Sequence, residues 1–149
     1  MKKLKVYIIS IISTLLVGIL SGLLSMNSMG IYSYINRPLL SPPSWLFPVV
    51  WTILYILMGI SNAIYYIKTN KVPTIYIVQL LVNFIWPLIF FNLEAYLLSF
   101  IVILLLIILV IKMIQEFLTV SKLAGFIQIP YLLWLLFAAY LNFSIYLLN

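Results

Sequence analysis

The chain has 149 residues, 66% of them hydrophobic and 7% charged, with a formal net charge of +6. A soluble domain carries about 25% charged residues, and a fold this small could not hide so much apolar surface from water, so lipid is the solvent that fits. Cysteine and histidine are both absent, which excludes disulfides, thiolate and imidazole metal ligands, a cysteine nucleophile and the commonest general base.

A helix needs roughly 20 residues to cross a hydrocarbon core of about 30 Å. The length therefore accommodates about five spans and little else. The expectation is an all-α integral membrane bundle, one domain over residues 1–149. The first predicted span runs from about Leu4 to Met26, behind Lys2, Lys3 and Lys5. A basic start before an apolar run also suits a signal peptide, but that apolar region is only about 7–15 residues long, and this one is longer. Its polar residues are small and share a face: Ser10, Thr14, Gly18, Ser21 or Gly22, and Ser25. Small residues let helices approach closely in lipid. Gly18 and Gly22 form a GxxxG, which serves either packing inside the bundle or formation of a homodimer.

Asn27 to Ser44 is the one long connection, broken by Met29-Gly30, Arg37-Pro38 and Ser41-Pro42-Pro43. A loop of this length in so short a chain is functional or mobile. The second span covers about Trp45 to Ile67, with Pro48 in its first turn, where a missing N–H costs little, and Lys68 and Lys71 close it. Pro73 opens the third span, about Thr74 to Phe91, which has Pro87 near its end; Asn92 to Glu94 is a tight turn. The fourth span, about Ala95 to Phe117, is apolar all round and is predicted to be the most lipid-exposed helix. Lys112, Glu116 and Lys122 mark its exit. In the fifth, about Leu123 to Leu148, Pro130 is predicted to produce a kink.

Alternating the sides puts Lys2, Lys3, Lys5, Lys68, Lys71, Lys112 and Lys122 together and leaves Arg37 alone opposite. By the positive-inside rule the N-terminus is cytoplasmic, and the long loop and the C-terminus face outside. Lysines placed in this way signal topology and do not form a nucleic-acid surface. Carboxylates are missing from the span centres, since Glu94 and Glu116 both lie at helix ends. That argues against an ion-driven transporter.

Aromatic and amide chemistry remains. Trp51, Tyr55 and Asn62 share a face of the second span; Gln79, Asn83, Trp86 or Pro87, and Phe90 share one on the third; Tyr131, Trp134, Ala138 and Asn142 line one on the fifth. Amides facing lipid are costly, so these faces should turn inward. Together they could enclose a flat, apolar ligand with polar edges, such as a tetrapyrrole or a sterol. A second reading makes Trp45, Trp51 and Tyr34 interfacial anchors and gives Asn83 and Asn142 purely interhelical hydrogen bonds.

Several of these segments carry a resemblance. Pro38-Leu-Leu-Ser-Pro-Pro43, Phe47 and Val50-Trp-Thr-Ile-Leu-Tyr55 resemble the loop and second helix of the TspO/MBR family, the translocator and tryptophan-rich sensory proteins. Gln79-Leu-Leu-Val-Asn83 with Trp86 and Phe90-Phe91 resembles its third helix. Pro130-Tyr-Leu-Leu-Trp134, Phe137-Ala138, Leu141-Asn142 and Asn149 resemble its fifth. The resemblance implies a five-helix pocket closed by the first loop, often in a dimer, in a bacterial plasma membrane. It implies protoporphyrin IX or a related tetrapyrrole as ligand, with no tightly bound cofactor. Trp51 and Trp134 match the two pocket tryptophans linked to porphyrin binding and to light-dependent porphyrin breakdown. Tyr32, Tyr55, Asn83, Phe90 and Ala138 match further pocket positions, and Trp86 and Asn142 share their faces. Leu40 stands where many members carry Trp. The basic residue that a cholesterol motif wants after Tyr140 or Tyr146 is missing, so sterol recognition is not expected. The leading expectation is a tetrapyrrole receptor or sensor. The alternatives are a porphyrin-degrading enzyme using Trp51 and Trp134, and a facilitator that moves tetrapyrroles or small lipids.

Overall fold

The computed structural model describes residues 2–149. Five stretches are long and apolar enough to cross a membrane. Helix α1 (Lys2–Ser25) continues as a 3-10 segment over Met26–Ser33; α2 covers Leu46–Thr69 and α3 Thr74–Pro87. A π-helical turn, Leu88–Asn92, follows Pro87, and then come α4 (Tyr96–Leu118), the short α5 (Lys122–Phe126) and α6 (Ile129–Leu148).

Local chemistry sets the boundaries. Asn70 adopts a left-handed conformation (φ 59°), and its N–H reaches Tyr66 O to end α2; asparagine tolerates that geometry at a helix end. Ser121 caps α5 by accepting from the Ala124 N–H at 3.2 Å. The up-and-down path leaves all seven lysines at one end of the bundle and Arg37 at the other.

Three expectations change. The first connection is shorter than the sequence suggests, because the 3-10 segment extends α1 and leaves only residues 34–45 without helix. Pro130 does not kink a continuous helix. The chain turns at Ile127 and Gln128, and Pro130 falls in the first turn of α6, where no helical N–H is required. Buried Gln128 holds the break to α2 by donating to Leu57 O and Ser61 Oγ, both at 2.8 Å. Finally, α4 is not the most lipid-exposed helix. Its most apolar stretch is 39% buried, against 22% for α1. Core and lipid make the same demand for apolar atoms, so an all-apolar helix can sit in either.

The small polar face of α1 turns inward as expected. Ser10 Oγ donates to Gly59 O (2.7 Å) and accepts from Asn62 Nδ2 (2.9 Å). The hydroxyls of Thr14 and Tyr76 pair, and Ser21 Oγ donates to Phe84 O. Gly18 and Gly22 behave differently. A Cβ at Gly18 would fall 2.2 Å from the Tyr55 ring, whereas one at Gly22 meets nothing within 4 Å. Gly18 therefore serves close packing inside the bundle. At Gly59 a Cβ would stand 2.6 Å from Ile11 Cα, so α1 and α2 touch nearly backbone to backbone.

Candidate functional site

Three helices bring their amides and phenols to one buried point. Tyr55 Oη on α2 donates to Asn83 Oδ1 on α3 at 2.6 Å. Asn83 Nδ2 donates to Tyr131 Oη on α6 at 2.7 Å. Tyr131 Oη in turn donates to Gln79 Oε1 at 2.8 Å. Each phenol has one proton, so the bonds along the chain run in one common sense. Because the Tyr131 proton goes to Gln79, Tyr131 accepts from the Asn83 amide, and Asn83 turns its carbonyl to Tyr55. Asn83 is buried, with both ends of its amide engaged. Both of these bonds join helices.

Trp51 lies one turn before Tyr55 on α2. It is half-buried and packs on the core. Its ring centroid is 5.7 Å from Tyr55 and 6.2 Å from Tyr131, the latter edge-on. Trp134, one turn after Tyr131, is also half-buried. It meets Phe47 edge-on at 5.9 Å, and Phe47 meets Tyr32 at 5.3 Å. Trp134 Nε1 is buried without a hydrogen-bond partner. Ala138 is buried one turn further along α6.

The first loop closes over this end. Tyr32 Oη donates to Pro42 O at 2.8 Å, and Tyr140 Oη to Leu39 O at 2.9 Å. Asn149 clasps the backbone of Asn36: Oδ1 accepts from its N–H at 3.1 Å and Nδ2 donates to its carbonyl at 2.9 Å. Leu40, exposed at the loop tip, sits at φ 73°, a region costly for a side chain with Cβ.

Trp86, Phe90 and Asn142 form a second group. Trp86 Nε1 donates to Asn142 Oδ1 at 3.0 Å, Asn142 Nδ2 donates to Tyr96 O at 2.8 Å, and Trp86 stacks on Phe90 at 5.2 Å. Trp45 is 66% exposed, consistent with an interfacial anchor.

The nearest rings to Trp51 are those of Tyr55 and Tyr131, and the nearest to Trp134 are those of Phe47 and Phe137. Two open hollows lie elsewhere. One of about 660 Å³ is bounded by residues 35–43, and one of about 750 Å³ by Glu94–Leu98 with Tyr146, Leu147 and Asn149. Among the described residues no group of three or more His, Cys, Asp or Glu side chains is placed to hold a metal ion. The polar and aromatic side chains gathered at the site are indole, phenol and amide groups.

Sequence reasoning did not select Phe47, Gln79 or Tyr131 as site residues. Gln79 and Tyr131 were visible on the inward faces, and Phe47 precedes Trp51 by one helical turn. Only their pairing across helices shows what they do.

A model of the TspO/MBR family matches residues 10–148. The chain is similar to the tryptophan-rich protein TspO of Chlorobaculum tepidum, 40% identical over 79% of this chain and 78% of that one. It is similar to the TspO protein of Archaeoglobus fulgidus, 37% identical over 94% of each. A tryptophan-rich sensory protein of Cereibacter sphaeroides is 30% identical over 79% of this chain and 76% of its own.

Proposed function

The chain belongs to the TspO/MBR family, and we propose that it is a membrane receptor that senses protoporphyrin IX-type tetrapyrroles between α2, α6 and the first loop. The observation that carries this reading is the inward setting of Trp51 and Trp134. Both pack on rings inside the bundle, although a lipid-facing indole would cost little. A planar ligand enters such a site by exchanging ring contacts for ring contacts. Phe47 is the natural element to move, because it lies beside the loop at the start of α2 and fills the gap between Tyr32 and Trp134. The hydrogen-bonded Tyr55–Asn83–Tyr131–Gln79 chain stays behind as a rigid floor. Lifting the loop would break the Asn36–Asn149 clasp and the Tyr140–Leu39 bond, which makes ligand occupancy readable at the loop surface. The lysine end faces the cytoplasm by the positive-inside rule, so the loop faces outward. The word "sensory" in the name of the Cereibacter relative agrees with this role.

Titration of the purified protein with protoporphyrin IX, followed by quenching of tryptophan emission, tests the reading. Saturable quenching is expected, and it should be largely lost in a Trp51→Phe, Trp134→Phe double variant. Quenching of equal midpoint and depth in that variant would place the ligand elsewhere.

A further inference from the structure

Leu39 and Leu40, at the tip of the first loop, are 88% and 81% exposed. No charged residue occurs from Pro38 to Ile67. The nearest charge, Arg37, is seated on Tyr32, its guanidinium carbon 4.4 Å from the centroid of that ring. The loop does not stand above the bundle. Tyr140 Oη donates to Leu39 O at 2.9 Å, and Tyr140 sits a little over two turns, roughly 12 Å, before the end of α6. Asn36 is clasped at Asn149, so the chain runs down beside α6 to reach Leu39. Tyr140 also belongs to the stripe Leu133, Leu136, Tyr140, Phe143 and Leu147, exposed residues that share one side of α6. That side is the one α6 turns to lipid.

Irregular backbone survives near hydrocarbon only where its polar groups are paired, and this loop is built that way. Pro38, Pro42 and Pro43 offer no N–H. Pro38 O accepts from Ser41 Oγ at 2.7 Å and from the Ser41 N–H at 3.4 Å. Leu39 O is taken by Tyr140, Pro42 O by Tyr32, and Pro43 O by the Leu46 N–H at 3.0 Å. A loop in water needs none of this, because water pairs with an open carbonyl. The N–H groups of Leu39 and Leu40 have no acceptor among the described residues, so the tip belongs where ester carbonyls can meet them. We propose that Leu39 and Leu40 are immersed in the leaflet at the loop end, at the boundary between acyl chains and lipid ester carbonyls. Lipid is the partner of this surface because the tip continues the lipid-facing side of α6, and exposed Trp45, at the other foot of the loop, marks the same interface. The bilayer thereby holds the loop down against α6. This role needs no ligand and is independent of the receptor reading.

The chain has no cysteine, so single nitroxide labels can be attached at Leu39→Cys and Leu40→Cys in liposomes of phosphatidylethanolamine and phosphatidylglycerol. Both positions are exposed, so the label displaces no packed side chain. Ile101→Cys, exposed on α4, is the lipid control, and Lys71→Cys, exposed in the turn after α2, is the water control. Power-saturation electron paramagnetic resonance measures the collision rate of each label with oxygen, which concentrates in lipid, and with a neutral nickel chelate, which stays in water. The oxygen-to-nickel ratio at 39 and 40 should exceed that at 71 several-fold and lie nearer to the ratio at 101. A ratio at either position nearer to that at 71 puts the tip in water and overturns the proposal. Slow collision with both reagents would mean that protein, a second copy of the chain included, covers the tip, and overturns it as well.

Discussion

Changing Tyr131 to Phe removes one oxygen, and that oxygen joins two helices. The ring is kept, so no cavity opens and the edge contact with Trp51 survives. Two buried groups lose their partner, Asn83 Nδ2 and Gln79 Oε1. An orphaned buried polar group costs about 1–3 kcal/mol in soluble proteins, but interhelical hydrogen bonds in membranes average only about 0.6 kcal/mol. Two of them place Tyr131→Phe at about 1–3 kcal/mol of destabilisation. Tyr55→Phe is the internal control, because it orphans only Asn83 Oδ1 and should cost about half as much. Reversible unfolding in mixed detergent micelles, followed by circular dichroism against the mole fraction of dodecyl sulfate, measures both. The reasoning is refuted if Tyr55→Phe costs as much as Tyr131→Phe, or if neither differs from the parent by more than about 0.3 kcal/mol.

The two glycines of the GxxxG should part company. Gly18→Ala drives a methyl into the Tyr55 ring and should destabilise by about 1–3 kcal/mol, while Gly22→Ala, which meets open space, should stay within about 0.5 kcal/mol of the parent; the same unfolding assay reads both. Asn149→Ala removes both bonds of the clasp on Asn36. It should speed hydrogen exchange and proteolysis within residues 34–45 and leave the exchange of α4 unchanged. Uniform acceleration across both segments would mean that the clasp is not local.

The spans were easy to read because apolar runs of membrane length lie between lysines and prolines. The inward faces were also readable, since Trp51 with Tyr55 and Gln79 with Asn83 recur at one helical turn. Exposure of α4 could not be read, because lipid and protein core select the same side chains and hydropathy does not distinguish them. At Pro130 the sequence predicts a kink; the fresh helix start found instead depends on Gln128 finding Leu57 and Ser61 across the bundle. The pairing of Asn83 was hidden for a similar reason. Its partners come from helices far away in sequence, and only their matching depth brings Tyr55 and Tyr131 to either end of one amide. Arg37 looked like the exception to a charge rule; its seat on Tyr32 depends on how the loop folds.

Lipid-borne quenchers test the inward setting of the indoles most directly. Trp51 can be kept as the single tryptophan, with Trp45, Trp86 and Trp134 changed to Phe, in bilayers of lipid brominated along the acyl chain. The control is Ile101→Trp with all four native tryptophans changed to Phe. Ile101 is 54% exposed on α4, and it lies as far into α4 from the loop end as Trp51 lies into α2. The account predicts quenching of Trp51 less than half as strong as that of the control, and the same for a protein keeping only Trp134. Equal quenching would mean that these indoles face acyl chains, and the inward-facing ligand site would not exist.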